Sequence, residues 1–294
     1  MPASLYSGLI LTAALAWQQV LQVGPYVAAG VLLAAVLGQV EWPLQRWRWL
    51  RRGDLPTVLG AAFLGVASPI SSHAAVPVLL QFLGEGASAG PLLAFLVAST
   101  MLNPQLFLII LGGLGVRLAL AHLLGVLTLS GLAGMVAARL SPALLLHPTA
   151  LAAAPALLTR RSPSGRRLLA ELLNLAGWVG LTFVLGAVVA AALQIWVPPQ
   201  WAGVLLTQNR PLSAAAAALL GLPFYHCGAM AVPVLASLME AGLSRAAVLA
   251  FLLVGPAMRA RSLAAVGSLL NRRALAVYAL GVMTVAVVVS LALG

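Results

Sequence analysis

The chain is poor in charge, poorest in acidic residues, and almost devoid of cysteine. Of its 294 residues only 5 are Asp or Glu against 16 Lys or Arg, while 62% are hydrophobic. Several apolar runs approach the roughly 20 residues that cross a hydrocarbon core, which predicts a polytopic membrane protein. Cys227 is the single thiol. That excludes an intramolecular disulfide and any cysteine cluster for zinc or iron–sulfur. No glycine-rich loop with a following Lys and Ser or Thr is present, so the chain has no ATP engine of its own and no cofactor is expected. The N-terminal MPASLYSGLILTAALAW lacks a basic n-region and a small-residue cleavage site, and reads as part of the mature first span. The arginines sit in short segments between apolar runs, where they set membrane orientation rather than bind nucleic acid.

What is present is the same pattern twice. LGVASPISSHAAVPVLLQFLGEGASAGPLLAFLVAS lies over LGLPFYHCGAMAVPVLASLMEAGLSRAAVLAFLLVG without a gap. Pro77 meets Pro233, Gly86 meets Gly242, and Ala94-Phe95-Leu96 meets Ala250-Phe251-Leu252. The same displacement pairs Gly30 with Gly186, Arg117 with Arg273 and Gly125 with Gly281. Duplicated apolar chains of this kind build many secondary transporters, with the substrate held where the repeats meet. The predicted organisation is a membrane repeat over 1–139, a cytosolic linker over 140–167 and a second repeat over 168–294.

Each repeat has four apolar pieces. In the first, 15–39 and 117–138 are spans, 56–83 is broken at Ser68-Pro69-Ile70-Ser71-Ser72-His73, and 88–115 is broken at Asn103-Pro104. In the second, 170–194 and 273–293 are spans, 211–240 is broken at Pro223 to Gly228, and 244–271 is broken at Gly255-Pro256. Broken helices survive at membrane depth only where protein or a water-filled cavity covers them, so the breaks point inward. Three arginine clusters, at 46–52, 139–167 and 272–273, belong on the cytoplasmic side. Between the first two the chain crosses an even number of times, so one broken piece spans and the other does not. The arms around SPISSH hold about 12 residues each, too few to cross at roughly 1.5 Å per residue, and make the re-entrant hairpin. The predicted fold is therefore all-α, with two inverted repeats, each of three spans and one re-entrant helical hairpin. The alternative is eight spans in two parallel repeats.

Inverted hairpins bring their tips together near the membrane centre, each tip standing before a helix N-terminus that favours negative charge. Ser71, Ser72, His73, His226 and Cys227 are thereby offered as substrate ligands. Serine at a break also serves as a helix cap, and a buried thiol as a small apolar residue. Intramembrane histidines at both tips favour function. Asn103-Pro104-Gln105 aligns with Arg259-Ala260-Arg261 midway along the broken spans. Central arginines persist only where they face a cavity or a partner, and Glu41, Asp54, Glu85, Glu171 and Glu240 all lie near the ends of apolar runs. A bound anion supplies the missing charge; the competing reading has Arg259 and Arg261 snorkel to the surface. Asn103, Arg259 and Arg261 join the candidate substrate-binding residues.

The doubled signature, Gly-x-x-x-Pro with small polar residues, then Ala-Val-Pro, a later Gly, Ala-Phe-Leu and Asn-Pro, resembles the predicted permeases of the ArsP and YraQ type. The resemblance implies a permease in the plasma membrane of a prokaryote, and members similar to ArsP export trivalent organoarsenicals. Typical sequences carry Cys-Ser-Cys-Gly before the first Val-Pro; here Ser71-Ser72-His73-Ala74 stands there, and only Cys227-Gly228 keeps a thiol. The expected function is a secondary permease for a small anionic or thiophilic solute, with the lipid bilayer as its other partner and self-association left open. The competing functions are an uncoupled channel, a polyprenyl-diphosphate phosphatase, whose hairpin carboxylates are lacking, and an accessory membrane subunit.

Overall fold

The computed structural model describes residues 2–37, 48–68, 76, 79–80, 82–83, 86–146, 165–196, 210–225 and 227–294. Among them the longer elements are all helices: α1 (Pro2–Leu37), α2 (Leu55–Ala67), α3 (Ala89–Met101), α4 (Pro104–Leu114), α5 (Val116–Arg139), α6 (Gly165–Trp196), α7 (Arg210–Phe224), α8 (Gly228–Glu240), α9 (Arg245–Met258), α10 (Ala260–Gly267) and α11 (Arg272–Leu293). Three stretches, α5, Leu168–Trp196 of α6, and α11, are long and apolar enough to cross a membrane. The pairs α3–α4 and α9–α10 bend by 43° and 53°, and each is a broken span or a re-entrant loop; counted as spans they give up to five. The first span expected, 15–39, overlaps the 36-residue α1.

Local chemistry sets the ends of these helices. Asn103 Oδ1 accepts from Leu106 N–H at 2.8 Å and Asn271 Oδ1 from Ala274 N–H at 2.9 Å, each satisfying a first-turn donor of α4 or α11. Pro104 opens α4, where a missing N–H costs nothing. One turn recurs in both copies. Gly86 and Gly242 take φ of 88° and 107°, the left-handed region open to glycine. Gly86 N–H donates to Leu83 O and Ala87 N–H to Phe82 O; Gly242 N–H donates to Met239 O and Leu243 N–H to Leu238 O. The duplicated sequence thus folds into the same chain reversal ahead of α3 and of α9.

Those two helices form the centre. Every α3 residue from Gly90 to Met101 is buried, as is almost all of α9, consistent with their being apolar on all sides. α2 packs on α3 and α7 on α9, and Gly65 and Gly221 bring the backbones close in the same way. A Cβ on Gly65 would stand 2.5 Å from Phe95 O, and one on Gly221 3.3 Å from Phe251 O. The copies interlock through α1 against α6, α4 against α8 and α5 against α11.

The second break falls elsewhere than its proline predicts. Helix α9 runs through Gly255-Pro256 to Met258, and the chain bends at Arg259, with φ −58° and ψ 148°. Arg259 is the repeat partner of Asn103, the break residue of the first copy. Proline follows the break in one copy and precedes it in the other, so the position in the repeat marks the bend better than the proline does.

Candidate functional site

The breaks meet at a cavity of about 100 Å³. Its wall includes Thr100, Asn103 and Gln105 from the first broken span, Arg259 from the second, and Tyr225, Cys227 and Gly228 from the junction of α7 and α8. Three of the residues expected to bind substrate, Asn103, Cys227 and Arg259, are therefore brought together from both copies. Arg261 is exposed, on the first turn of α10, and is not part of this wall. Ser71, Ser72, His73 and His226 lie outside the described residues.

Each group on the wall is held by its local structure. Asn103 spends its side-chain oxygen on the α4 cap, which leaves the amide nitrogen as its free donor. Arg259 ends α9 and precedes α10 at once; its backbone N–H bonds Gly255 O at 3.1 Å and its Nε donates to Ser262 Oγ at 3.0 Å. No carboxylate pairs with its guanidinium among the described residues. Cys227 is the N-cap of α8 and makes no side-chain cap bond, and the first intrahelical donor to reach back is Ala231 N–H, to Cys227 O at 3.0 Å. The N–H groups of Gly228, Ala229 and Met230 thus have no partner within the helix, and Gly228 and Ala229 border the cavity. Thr182 Oγ1 lies 3.9 Å from Cys227 Sγ. Positive charge, helix-terminal donors and a thiol face one small space, an arrangement suited to an anion or a soft solute.

Tyr225 is a wall residue that sequence reasoning left among the tip residues without a role. It is 4% exposed, its ring packs against Phe251 with centroids 6.1 Å apart, and a Cβ on Gly228 would stand 3.1 Å from its hydroxyl. The phenol hydroxyl therefore hangs over the first turn of α8. An aromatic residue just ahead of an N-cap in a membrane break is a sequence signal that could have found it, because a buried Tyr places its hydroxyl against polar groups.

The sequence profile of a family described as predicted permease, ArsP_1, matches residues 10–294. The chain belongs to this predicted permease family. No curated protein matches the chain, and no solved structure does. As an ArsP_1 permease it is an integral membrane transporter, and small molecules or ions are what such a protein handles. A second, apolar chamber of about 390 Å³ adjoins the polar cavity of this permease and shares Cys227 with it. It lies between α6, α7, α8 and α9, with Leu193, Leu220, Val234 and Phe251 on its walls. The two arms flanking the Tyr225–Cys227 break take different partners: α7 lies on α9 and α11, and α8 on α6 and α4.

Proposed function

We propose that this permease moves a small anionic or thiophilic solute by alternating access, with the cavity between the breaks as its central binding site. The observation that carries the reading is Arg259, which borders the cavity with no carboxylate partner among the described residues and shares its wall with Asn103 of the other copy. A solute anion completes that charge, and Cys227 at the α8 N-terminus gives a soft solute a second contact. In the proposed topology the repeats are inverted, each with three spans and one re-entrant hairpin, the linker is cytosolic, and the protein sits in the plasma membrane of a prokaryote. Ser71, Ser72, His73 and His226 complete the site from the hairpin tips in this reading, and Arg261 guards an approach to it. The sulfur oxyanions sulfite, sulfate and thiosulfate, arsenite and trivalent methylarsenic are the solutes to try.

Ligand-dependent melting of the purified protein tests the proposal. A solute at about a hundredfold over its Kd stabilises by roughly 2.7 kcal/mol. A shift with an oxyanion that disappears in Arg259→Ala marks an anion permease, and a shift with a thiophilic solute that disappears in Cys227→Ala marks a soft-solute permease. Shifts that survive both substitutions, or liposomes that pass none of these solutes above empty vesicles, sink it.

A further inference from the structure

The duplicated register picks out two residues that the cavity does not use. Among the described residues four side-chain polar atoms are buried without a hydrogen-bond partner; three of them are both ring nitrogens of His122 and the hydroxyl of Tyr278. His122 follows Arg117 at the same interval as Tyr278 follows Arg273, so they are one position seen in the two copies. His122 is 0% and Tyr278 7% exposed. Leaving a buried donor unpaired is a standing penalty, and an apolar residue of similar size would avoid it. The penalty occurs at the same place twice.

Both positions back onto a broken span. Helix α5, which carries His122, packs against α3 and α4, the two halves of the first; α11, which carries Tyr278, packs against α9 and α10, the two halves of the second. The Met101 carbonyl lies close enough to the His122 imidazole to act on it, yet neither ring nitrogen makes a hydrogen bond of good geometry. Met101 is the last residue of α3, and the chain restarts at Pro104, so this carbonyl has lost its intrahelical donor. A donor without an acceptor thus stands beside an acceptor without its donor, at the point where the span bends. A change of bend is the motion that would bring them together.

We propose that His122 and Tyr278 are switch contacts of the two broken spans, unpartnered in the bends seen here and hydrogen-bonded to the carbonyl ends of α3 and α9 when those bends change. Each side chain then disfavours the present arrangement and favours the other, which keeps both accessible. The inference concerns how the spans move, and holds whether the protein carries a solute by alternating access or opens as a channel.

Hydrogen exchange on the full chain in lipid nanodiscs tests this without any solute. Tyr278→Phe removes one oxygen atom and should slow exchange of the amides at 259–263 by about fivefold or more relative to those of α6, the low end of ordinary coupling between conformations. His122→Leu should do the same at 105–107, and His122→Gln, which keeps a donor, should stay within about twofold of the wild type there. Exchange at the breaks that is unchanged, that slows equally throughout the chain, or that quickens would overturn the proposal, since a static contact or a static bound water predicts one of these. If His122→Leu does not fold, the Tyr278→Phe result decides alone.

Discussion

Asn103 is the position at which charge in the cavity can be tested without moving the backbone. Its side-chain oxygen caps α4 through the 2.8 Å bond from Leu106 N–H, and it shares the cavity wall with Arg259. Asn103→Ala removes the cap and should cost about 1 kcal/mol. For a chain of this size that is a fall in melting midpoint of about 2 °C. Asn103→Asp keeps the capping oxygen and adds a carboxylate to the same wall. Opposite charges on one small cavity wall attract by a few kcal/mol at an effective dielectric near 20, and desolvating the new carboxylate takes back part of that gain. The favourable α4 N-terminus adds a few tenths of a kcal/mol more. Asn103→Asp should therefore melt at or above the wild type in the absence of solute, by about 2 °C, and lose any anion-induced shift because its own carboxylate occupies the site. The assay is a detergent melt at one scan rate, with and without sulfite or sulfate. If Asn103→Asp melts below Asn103→Ala, the cavity is not electropositive and the reading of Arg259 is wrong.

Other outcomes follow from the same geometry. Tyr225→Phe keeps the contact with Phe251 and loses the hydroxyl over α8, so stability should hold while oxyanion affinity, read by titration calorimetry, falls about fivefold, the value of one modest hydrogen bond. Gly134→Val should cost about 3 kcal/mol or more and appear as loss of monodisperse protein, because a Cβ there meets Ala94 Cβ at 2.8 Å and Gly90 O at 2.9 Å. Asn271→Ala should lower the melting midpoint more than a cap alone, since its amide also donates to Leu144 O, tying that residue to the start of α11. The Asp54 carboxyl is held below its ordinary value, first by its side-chain hydrogen bond with Thr57. A lowered folded value means the cap is at full strength above about pH 4 and is lost as pH falls through it. Asp54→Asn should flatten that part of a melting profile recorded from pH 5 to pH 3.

Much of this was legible in the chain because duplication keeps register. The equivalence of Gly86 with Gly242 anticipates the same left-handed turn in both copies, and pairing Asn103 with Arg259 anticipates two break residues on one cavity. The bend in the second broken span was misplaced at Gly255-Pro256, because a proline inside a helix removes one hydrogen bond yet is tolerated where neighbouring helices cover it. The position was recoverable from the first copy, whose break fixes Arg259. His122 and Tyr278 read as ordinary members of apolar runs, and Tyr225 as a tip residue without a role. What distinguishes them is burial of a polar atom, a property of packing that residue spacing does not encode.

Arg259 closes one helix and precedes the next, so any change in the bend there would carry its guanidinium with it. That has an electrical consequence. A full crossing of the membrane by one elementary charge is worth about 2.3 kcal/mol per 100 mV. Were a change of bend to carry the guanidinium about 3 Å along the membrane normal, one-tenth of a hydrocarbon core roughly 30 Å thick, the membrane potential would do only about 0.2 kcal/mol of work on it at 100 mV. A motion of that size would be nearly blind to voltage, and a steep dependence of flux on membrane potential would then have to be carried by the charge of the solute or of a co-transported ion.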